Sequence, residues 1–385
     1  MSMREVFRVI YAPHKAFKEI IQKPGYRGPL IIMLLFVLSF SGFYYVLSTR
    51  VYYDQSAPEL LDLDVWTEDA SLWYSNANKS VNNVDYIKGN YYGNRSIQFA
   101  LEDSSRIDVE LRIPEPLNCI EPNNYTNLSF RMKIVEPSEK PVNVSIYLFS
   151  KNAADKYFSY LLPGNDVEIN SWNNKTIPLT AFTTVNDADW RNITSLKFEL
   201  AWNSNKNITV LVDGVFFHGY YESMLEMNGS AIIVNSIISG FMQFTIQWVI
   251  FGIILYLFSK LFRGQPVWKT MLTISGFVLI TLFVENLILI GVVFAYPEMR
   301  LSLETLGGVS GEGWTADAQN FMSILSIKYD VLDRITYLVW IVALCSIAVH
   351  LLFAFSWTKS VSVSFLSSLI SMLAFRFLVY GAIWL

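Results

Sequence analysis

Two charged residues stand inside stretches otherwise built of Leu, Ile, Val and Phe: Glu285 and Arg376. A charge in hydrocarbon is costly without a partner, so such residues mark either an ion or proton pathway or a lock between helices. Each lies about 15 residues into its apolar stretch, 270–295 and 361–384. At 1.5 Å per residue both fall roughly 22 Å from the same end, which predicts an intramembrane ion pair. Gln243 and Gln247, at i and i+4 on one helix face, are placed to hydrogen-bond to it. His350 lies nearer the inner end of its own stretch. The lock is the favoured reading, because a transporter ordinarily breaks its helices around a polar cavity. Asp213 is a third charge out of place: in "VLVDGVFF" a lone carboxylate needs a partner.

Other chemistry is thin. The three histidines, His14, His218 and His350, are scattered, and no His-Glu-x-x-His, Gly-x-Ser-x-Gly or clustered Cys/His motif occurs. Nothing singles out a pair of carboxylates for glycosidase chemistry. Cys119 and Cys345 fall in different kinds of segment and are not expected to pair. "GGVSGEG" at 307–313 lacks the Gly-Lys-Ser/Thr ending of a phosphate loop and reads as a flexible loop. The expectation is a protein that is not an enzyme. Nine Asn-x-Ser/Thr sequons mark glycosylation acceptors at Asn78, Asn94, Asn124, Asn127, Asn143, Asn174, Asn192, Asn207 and Asn228.

The elements that must position these residues are long helices. The chain is 52% hydrophobic, too apolar for a wetted surface of this size. A bilayer core of about 30 Å needs about 20 apolar residues in a helix. Five stretches qualify: 29–47, 231–258, 270–295, 332–355 and 361–384. Short-loop cations set their direction. Arg4, Arg8, Lys15, Lys18, Lys23 and Arg27 precede the first span, Lys260, Arg263 and Lys269 join the second to the third, and Lys359 precedes the fifth. Five crossings place these on one side, the cytoplasmic one. Residues 48–230, the loop 296–331 and the C-terminus are then extracellular or lumenal, and all nine sequons fall there. Within 296–331, residues 316–327 read as a short helix on the outer surface. Residues 1–28 form a cytoplasmic segment ahead of a signal anchor. Apolar residues in 6–21 recur at helical spacing between basic ones, which suits a helix lying on the inner membrane surface and broken at Ala12 and Pro13.

The remaining domain, 51–228, is read as β-rich. Residues 51–230 hold 24 acidic and 14 basic side chains, a balance that excludes nucleic acid as a partner. Strand-like runs occur at 96–101, 127–134, 142–149, 195–200 and 208–212. In 142–149, Val142, Val144, Ile146 and Leu148 alternate with Asn143, Ser145 and Tyr147, so one face packs and the other meets water. Many such strands predict an all-β jelly-roll sandwich beside a five-helix membrane bundle.

The order "LLDLDVWTEDASLW", "GNRSIQFAL", "LSFRMKI", "VSIYLFS", "SWNNKTIPLTAF", "ADWRNITSLKFEL" and "VLVDGVFFHG" resembles a carbohydrate-binding-module jelly roll of the galactose-binding-like type, over about 155 residues. The resemblance implies a structural calcium held by Asp213 with Asp62, Asp64 and Asp69, against the bland alternative of a hydrogen-bonded turn aspartate. It also implies core or edge packing for Trp172, Phe182 and Trp190. "FRVIYAPHKAFKEIIQKPGYRGPLIIMLL" resembles the opening of the Yip family, the Ypt/Rab-interacting five-span membrane proteins, over 5–47 and more loosely 231–385. The inserted jelly roll departs from that family's short first loop. Two roles stay open beside the ion pathway. One is a membrane organiser or accessory subunit whose glycosylated ectodomain docks a protein partner in the envelope or lumen. The other is a membrane-anchored surface protein that binds a glycan ligand.

Overall fold

The computed structural model describes residues 3–151, 153–309 and 316–380. The chain divides into a helical unit, Met1–Val51, Ser223–Met299 and Gln319–Leu385, and a strand-rich unit, Tyr52–Glu222 with Arg300–Ala318. Residues 300–309, expected in an outside loop, therefore belong to the β unit. Leu303 is buried there with Ile87, Tyr92 and Phe216, and Asn90 donates its N–H to the Gly307 carbonyl. Residues 310–315 of the glycine-rich stretch lie outside the described residues.

The helical unit opens with α1 (Met3–Tyr11) and α2 (Pro13–Gln22). They break at Ala12, where Pro13 suits the first turn of a new helix. Their apolar faces are not left for a membrane surface. Val6, Val9, Phe17 and Ile20 are buried in one core with Ile274, Phe277 and Leu279, and Phe7 meets the Phe283 ring edge-on. Packing on a ready partner removes these side chains from water without lipid.

Among the described residues five helices are long and apolar enough to cross a membrane: α3 (Arg27–Ser48), α4 (Met224–Leu261), α5 (Trp268–Ala295), α6 (Ala316–Phe353) and a last one, α7 (Trp357–Tyr380). Residues 381–384 of the fifth expected span lie outside the described residues. Leu30, Leu34 and Leu38 on α3 and Val234, Ile238, Met242 and Leu257 on α4 are exposed. Apolar stripes of that extent are what lipid-facing helices present. Helix α4 begins earlier than 231 because Ser223 and Glu226 form a capping box, with Ser223 Oγ accepting from the Glu226 N–H and the Ser223 N–H reaching Glu226 Oε2. Ser223→Ala is expected to cost about 1 kcal/mol, read as a lower Tm of the full chain in detergent.

The predicted short helix at 316–327 and the predicted span from 332 are parts of one continuous helix, α6. Two stretches of α6 are π-helical, Ile327–Leu332 and Thr336–Trp340. A wider turn of this kind re-registers a helix and brings side chains five apart onto one face, here Lys328 and Asp333.

The β unit is a sandwich. Its strands are β1 (Val51–Ala57), β2 (Trp73–Ser75), β3 (Asn78–Asn82), β4 (Ser96–Leu117), β5 (Asn127–Glu136), β6 (Asn143–Ser150), β7 (Ala153–Pro163), β8 (Asn173–Pro178), β9 (Thr183–Val185) and β10 (Ile193–Ser223). Strands β4 and β10 are long enough to serve both layers. Residues 106–112 of β4 and 195–201 of β10 pair with each other and, through β2 on one side and β6, β7 and β9 on the other, make the first sheet. Residues 97–101 and 208–218 make the second with β3, β5 and β8. The register shifts between Ala201 and Ile208 are where β10 bends from one to the other. Phe130 meets Phe198 at 4.6 Å and Trp73 meets Phe99 at 5.5 Å between ring centroids, each contact joining the two sheets. Phe182 and Trp190 close this core, with Trp190 stacked on Phe158 at 3.7 Å.

Candidate functional site

The first sheet turns its apolar residues inward and leaves one decorated face to solvent. Ile107, Val109 and Leu111 of β4, Leu196, Phe198 and Leu200 of β10, and Val144, Ile146 and Leu148 of β6 are buried. With a period of two, their neighbours share the opposite face. Register places Glu110 opposite Lys197 and Arg112 opposite Ser195. It also places Lys197 opposite Tyr147, Ser195 opposite Phe149, and Phe149 opposite Tyr157. Tyr74 of β2 lies opposite Glu110.

The face therefore has three zones. Tyr147, Phe149 and Tyr157 form an aromatic cluster with centroids 5.5–6.4 Å apart. Arg106, Asp108, Lys197 and Glu199 form a closed charge network, with Arg106 Nε to Asp108 Oδ1 at 2.8 Å and Arg106 Nη2 to Glu199 Oε2 at 3.1 Å. Partial burial works against the Asp108 charge, but hydrogen bonds from Arg106 and Lys197 outweigh it and lower its pKa. Glu110 and Arg112 make the third zone. Arg112 lies over the Tyr74 ring at 3.9 Å, and neither charged group has a hydrogen-bond or ion-pair partner among the described residues. They line a groove of about 560 Å³ with Phe149, Ala153, Ala154, Thr194 and Ser195.

The carboxylates predicted around Asp213 assemble only in part. Asp64 and Asp213 are both fully buried and adjacent. Asp64 Oδ2 accepts from the Gly214 N–H and Oδ1 from Thr67 Oγ1, while Asp213 Oδ2 accepts from the Ile87 N–H at 2.7 Å. Burial first, and then the neighbouring Asp213, push the Asp64 carboxyl well up; burial lifts Asp213 to about 7. The other two are elsewhere: Asp69 caps a short helix through the Ser71 N–H, and Asp62 is exposed on a 3₁₀ turn. Calcium takes six to eight oxygens. Among the described residues no group of three His, Cys, Asp or Glu side chains can hold a metal, and three of the four Asp64 and Asp213 oxygens already accept protein donors. The predicted calcium set does not fit.

A second buried polar group escaped the sequence reading. His218 Nδ1 lies 2.9 Å from Asp54 Oδ2, and Asp54 Oδ1 accepts the Gly219 N–H at 2.7 Å. Burial and the Asp54 charge push the Tyr221 hydroxyl up to about 12. All nine sequon asparagines keep surface exposure. Asn78, Asn94, Asn124, Asn174, Asn207 and Asn228 are exposed and Asn127, Asn143 and Asn192 half-buried. Asn228 sits inside α4, at a residue with non-helical backbone.

In the helical unit the predicted intramembrane residues converge. Gln243, Gln247, Glu285 and Arg376 line one cavity, with Asn286, Lys328, Asp333 and Tyr337. It holds about 30 Å³ of room for the centres of water-sized molecules, enough for a water or two. The pairing differs from expectation. Arg376 Nη2 donates to Asp333 Oδ2 at 3.3 Å, and Glu285 neighbours Asp333 and Thr336 with its Oε2 lacking a hydrogen-bond partner among the described residues. Lys328, buried, has its ammonium 4.9–5.6 Å from the centroids of Phe43, Tyr44 and Phe40. His350 stands apart from the cavity, stacked on Trp357 at 4.3 Å with Nδ1 2.6 Å from the Phe355 carbonyl oxygen. It closes the turn after α6.

No protein-family model matches the chain, so the likeness to the Yip family has no such support, and no curated protein matches it. Among solved structures, the chain is similar to a family 11 carbohydrate-binding module from Clostridium thermocellum in complex with a β-1,3-1,4-mixed-linked tetrasaccharide, with 18% identity, 39% of this chain and 90% of that one covered, and a TM-score of 0.28. A family 30 carbohydrate-binding module of a Clostridium thermocellum cellulosomal cellulase is 16% identical over 40% of this chain and 91% of its own, with a TM-score of 0.30. An exo-β-agarase is 12% identical over 43% of this chain and 26% of its own, with a TM-score of 0.31.

Proposed function

We propose that this chain is a membrane-anchored glycan-binding protein whose ligand lies in the groove of the first β-sheet. One observation carries the reading: an aromatic side chain, Phe149, shares an open groove with Glu110 and Arg112, two charged groups without an ion-pair or hydrogen-bond partner among the described residues. A sugar offers a ring of hydroxyls around apolar C–H faces. The aromatic surface suits the C–H face. An unpaired carboxylate and guanidinium suit the hydroxyls, as acceptor and donor, through charge-assisted hydrogen bonds. The closed network of Arg106, Asp108, Lys197 and Glu199 holds the sheet face rigid beside them, which limits the ordering cost of binding. The five apolar helices would anchor this unit. Basic residues on the α4–α5 and α6–α7 connections and before α3 favour a cytoplasmic N-terminus, with the sequon-bearing unit on the other side.

The test is direct binding of the full chain, in detergent micelles, to soluble glucan, galactan and polyuronate. Phe149→Ala and the pair Glu110→Ala with Arg112→Ala are each expected to weaken binding by roughly tenfold or more, with an unchanged Tm. Binding of none of the three polymers would defeat the reading. So would binding that ignores both variants.

A further inference from the structure

At one end of the helical unit a pocket of about 380 Å³ is lined by Ile20, Lys23, Gly25, Tyr26, Arg27, Lys269 and Phe277. Three of its seven lining residues are cations and none is an acid. The side chains of Lys23, Arg27 and Lys269 have no ion-pair or hydrogen-bond partner among the described residues. Lys23, Arg27 and Lys269 are solvent-exposed, so three like charges converge on one cavity that an anion can reach, and their summed potential favours it there. Backbone adds to the same sign. Tyr26 and Arg27 begin α3 and Lys269 lies in the first turn of α5, and neither helix start has a side-chain cap, so N–H groups and the positive end of each helix dipole point that way. The remaining walls are apolar or aromatic: Ile20, Phe277 and Tyr26. Exposed Trp268 and Trp357, and the half-buried Tyr256 beside Trp268, stand near the same connections, the composition of a membrane–water interface.

We infer that this pocket binds the phosphate of an anionic lipid headgroup, with Lys23, Arg27 and Lys269 around the phosphate and Ile20, Tyr26 and Phe277 against the glycerol and upper acyl carbons. The ligand must be part anion and part hydrocarbon, because the lining is both. A free phosphate would leave the apolar wall wet. The inference rests on the bundle lying in a bilayer, and it is independent of what the β-sheet groove binds.

The experiment uses the full chain in a neutral detergent and reads its Tm while phosphatidylglycerol, phosphatidylcholine or inorganic phosphate is added. Phosphatidylglycerol is expected to raise Tm, and the other two to leave it unchanged. Lys23→Ala with Arg27→Ala and Lys269→Ala should raise the phosphatidylglycerol midpoint roughly a hundredfold, at about a factor of five for each cation lost. Gly25→Phe keeps every charge. No atom lies within 4 Å of a side-chain carbon added at Gly25, so the ring should enter the pocket without clash and block it, which decides the matter where the triple variant fails to fold. Lys260→Ala with Arg263→Ala, basic but outside the pocket, should behave as the parent. An equal response to inorganic phosphate would overturn the lipid assignment, as would a phosphatidylglycerol response that survives Gly25→Phe, or none in the parent. Retention of the chain by membranes in alkaline carbonate tests the bilayer reading separately.

Discussion

Replacing Asp333 by leucine is expected to destabilise the helical unit by about 3–5 kcal/mol, and adding Arg376→Met to restore most of that loss. The guanidinium of Arg376 donates to Asp333 at 3.3 Å, with both side chains largely buried, at 14% and 20% exposed. Removing the carboxylate alone takes the Asp333 ion pair from a guanidinium that is only 14% exposed, where little solvent can replace it. Removing both leaves apolar side chains of similar volume, and the desolvation of two ions disappears with their attraction. A second arm separates the roles of the two carboxyl groups. Glu285→Gln keeps the size and polarity of the side chain beside Asp333 and Thr336, so it should cost about 1 kcal/mol or less. Unfolding of the parent, Asp333→Leu, Arg376→Met and their double variant in detergent gives the coupling energy. A coupling near zero between Asp333 and Arg376, or one that instead joins Arg376 to Glu285, would show that the lock is built otherwise.

The depth argument from sequence brought Glu285 and Arg376 to one cavity and missed the residue between them. Hydropathy stops a span at its first charges, so Lys328 fell to the loop 296–331 and Asp333 to the very edge of the stretch 332–355, whereas α6 runs through both from Ala316. Nothing in local composition announces the π turns that put Lys328 and Asp333 on one face. The β unit shows the same division. The alternation in 142–149 reads directly as β6, because a half-buried strand must alternate. The runs at 195–200 and 208–212 read as separate strands, because the polar stretch between them, "AWNSNKN", looks like a turn. In the structure it is the bend of one long strand, β10. The groove was not legible. Tyr74, Glu110, Phe149 and Tyr157 are distant in sequence, and only strand register assembles them. Asp213 was legible as a carboxylate needing a partner, and of its three candidate neighbours only Asp64 lies close enough to be one, since Asp62 and Asp69 serve local turns.

That pair makes the β unit's stability fall as pH rises from about 4 to about 7, and Asp64→Asn, which removes one of the two raised carboxyl groups, should make the fall shallower. Both carboxyl groups are buried, and burial is the larger cause of the raised pKa in each. In the unfolded chain they titrate near 4. Between that value and about 7, where Asp213 titrates in the fold, the folded state holds protons that the unfolded state has released. Stability therefore declines with pH through this window and is fully retained below it. A shift of about three units corresponds to about 4 kcal/mol as an upper bound. Asparagine suits position 64, whose backbone is left-handed at φ 55°. Its amide oxygen can accept the Gly214 N–H, and its NH₂ can donate to Thr67 Oγ1. Asp213 stays beside the buried Arg131, which lies over the Tyr92 ring at 4.1 Å. The reverse choice, Asp213→Asn, takes the nearby anion from Arg131 and should destabilise at every pH. Unfolding of the full chain at pH 5, 6, 7 and 8, followed by the β signal in circular dichroism, distinguishes these outcomes. Parallel pH curves for the parent and Asp64→Asn would mean that the two carboxyl groups do not share their proton in the fold.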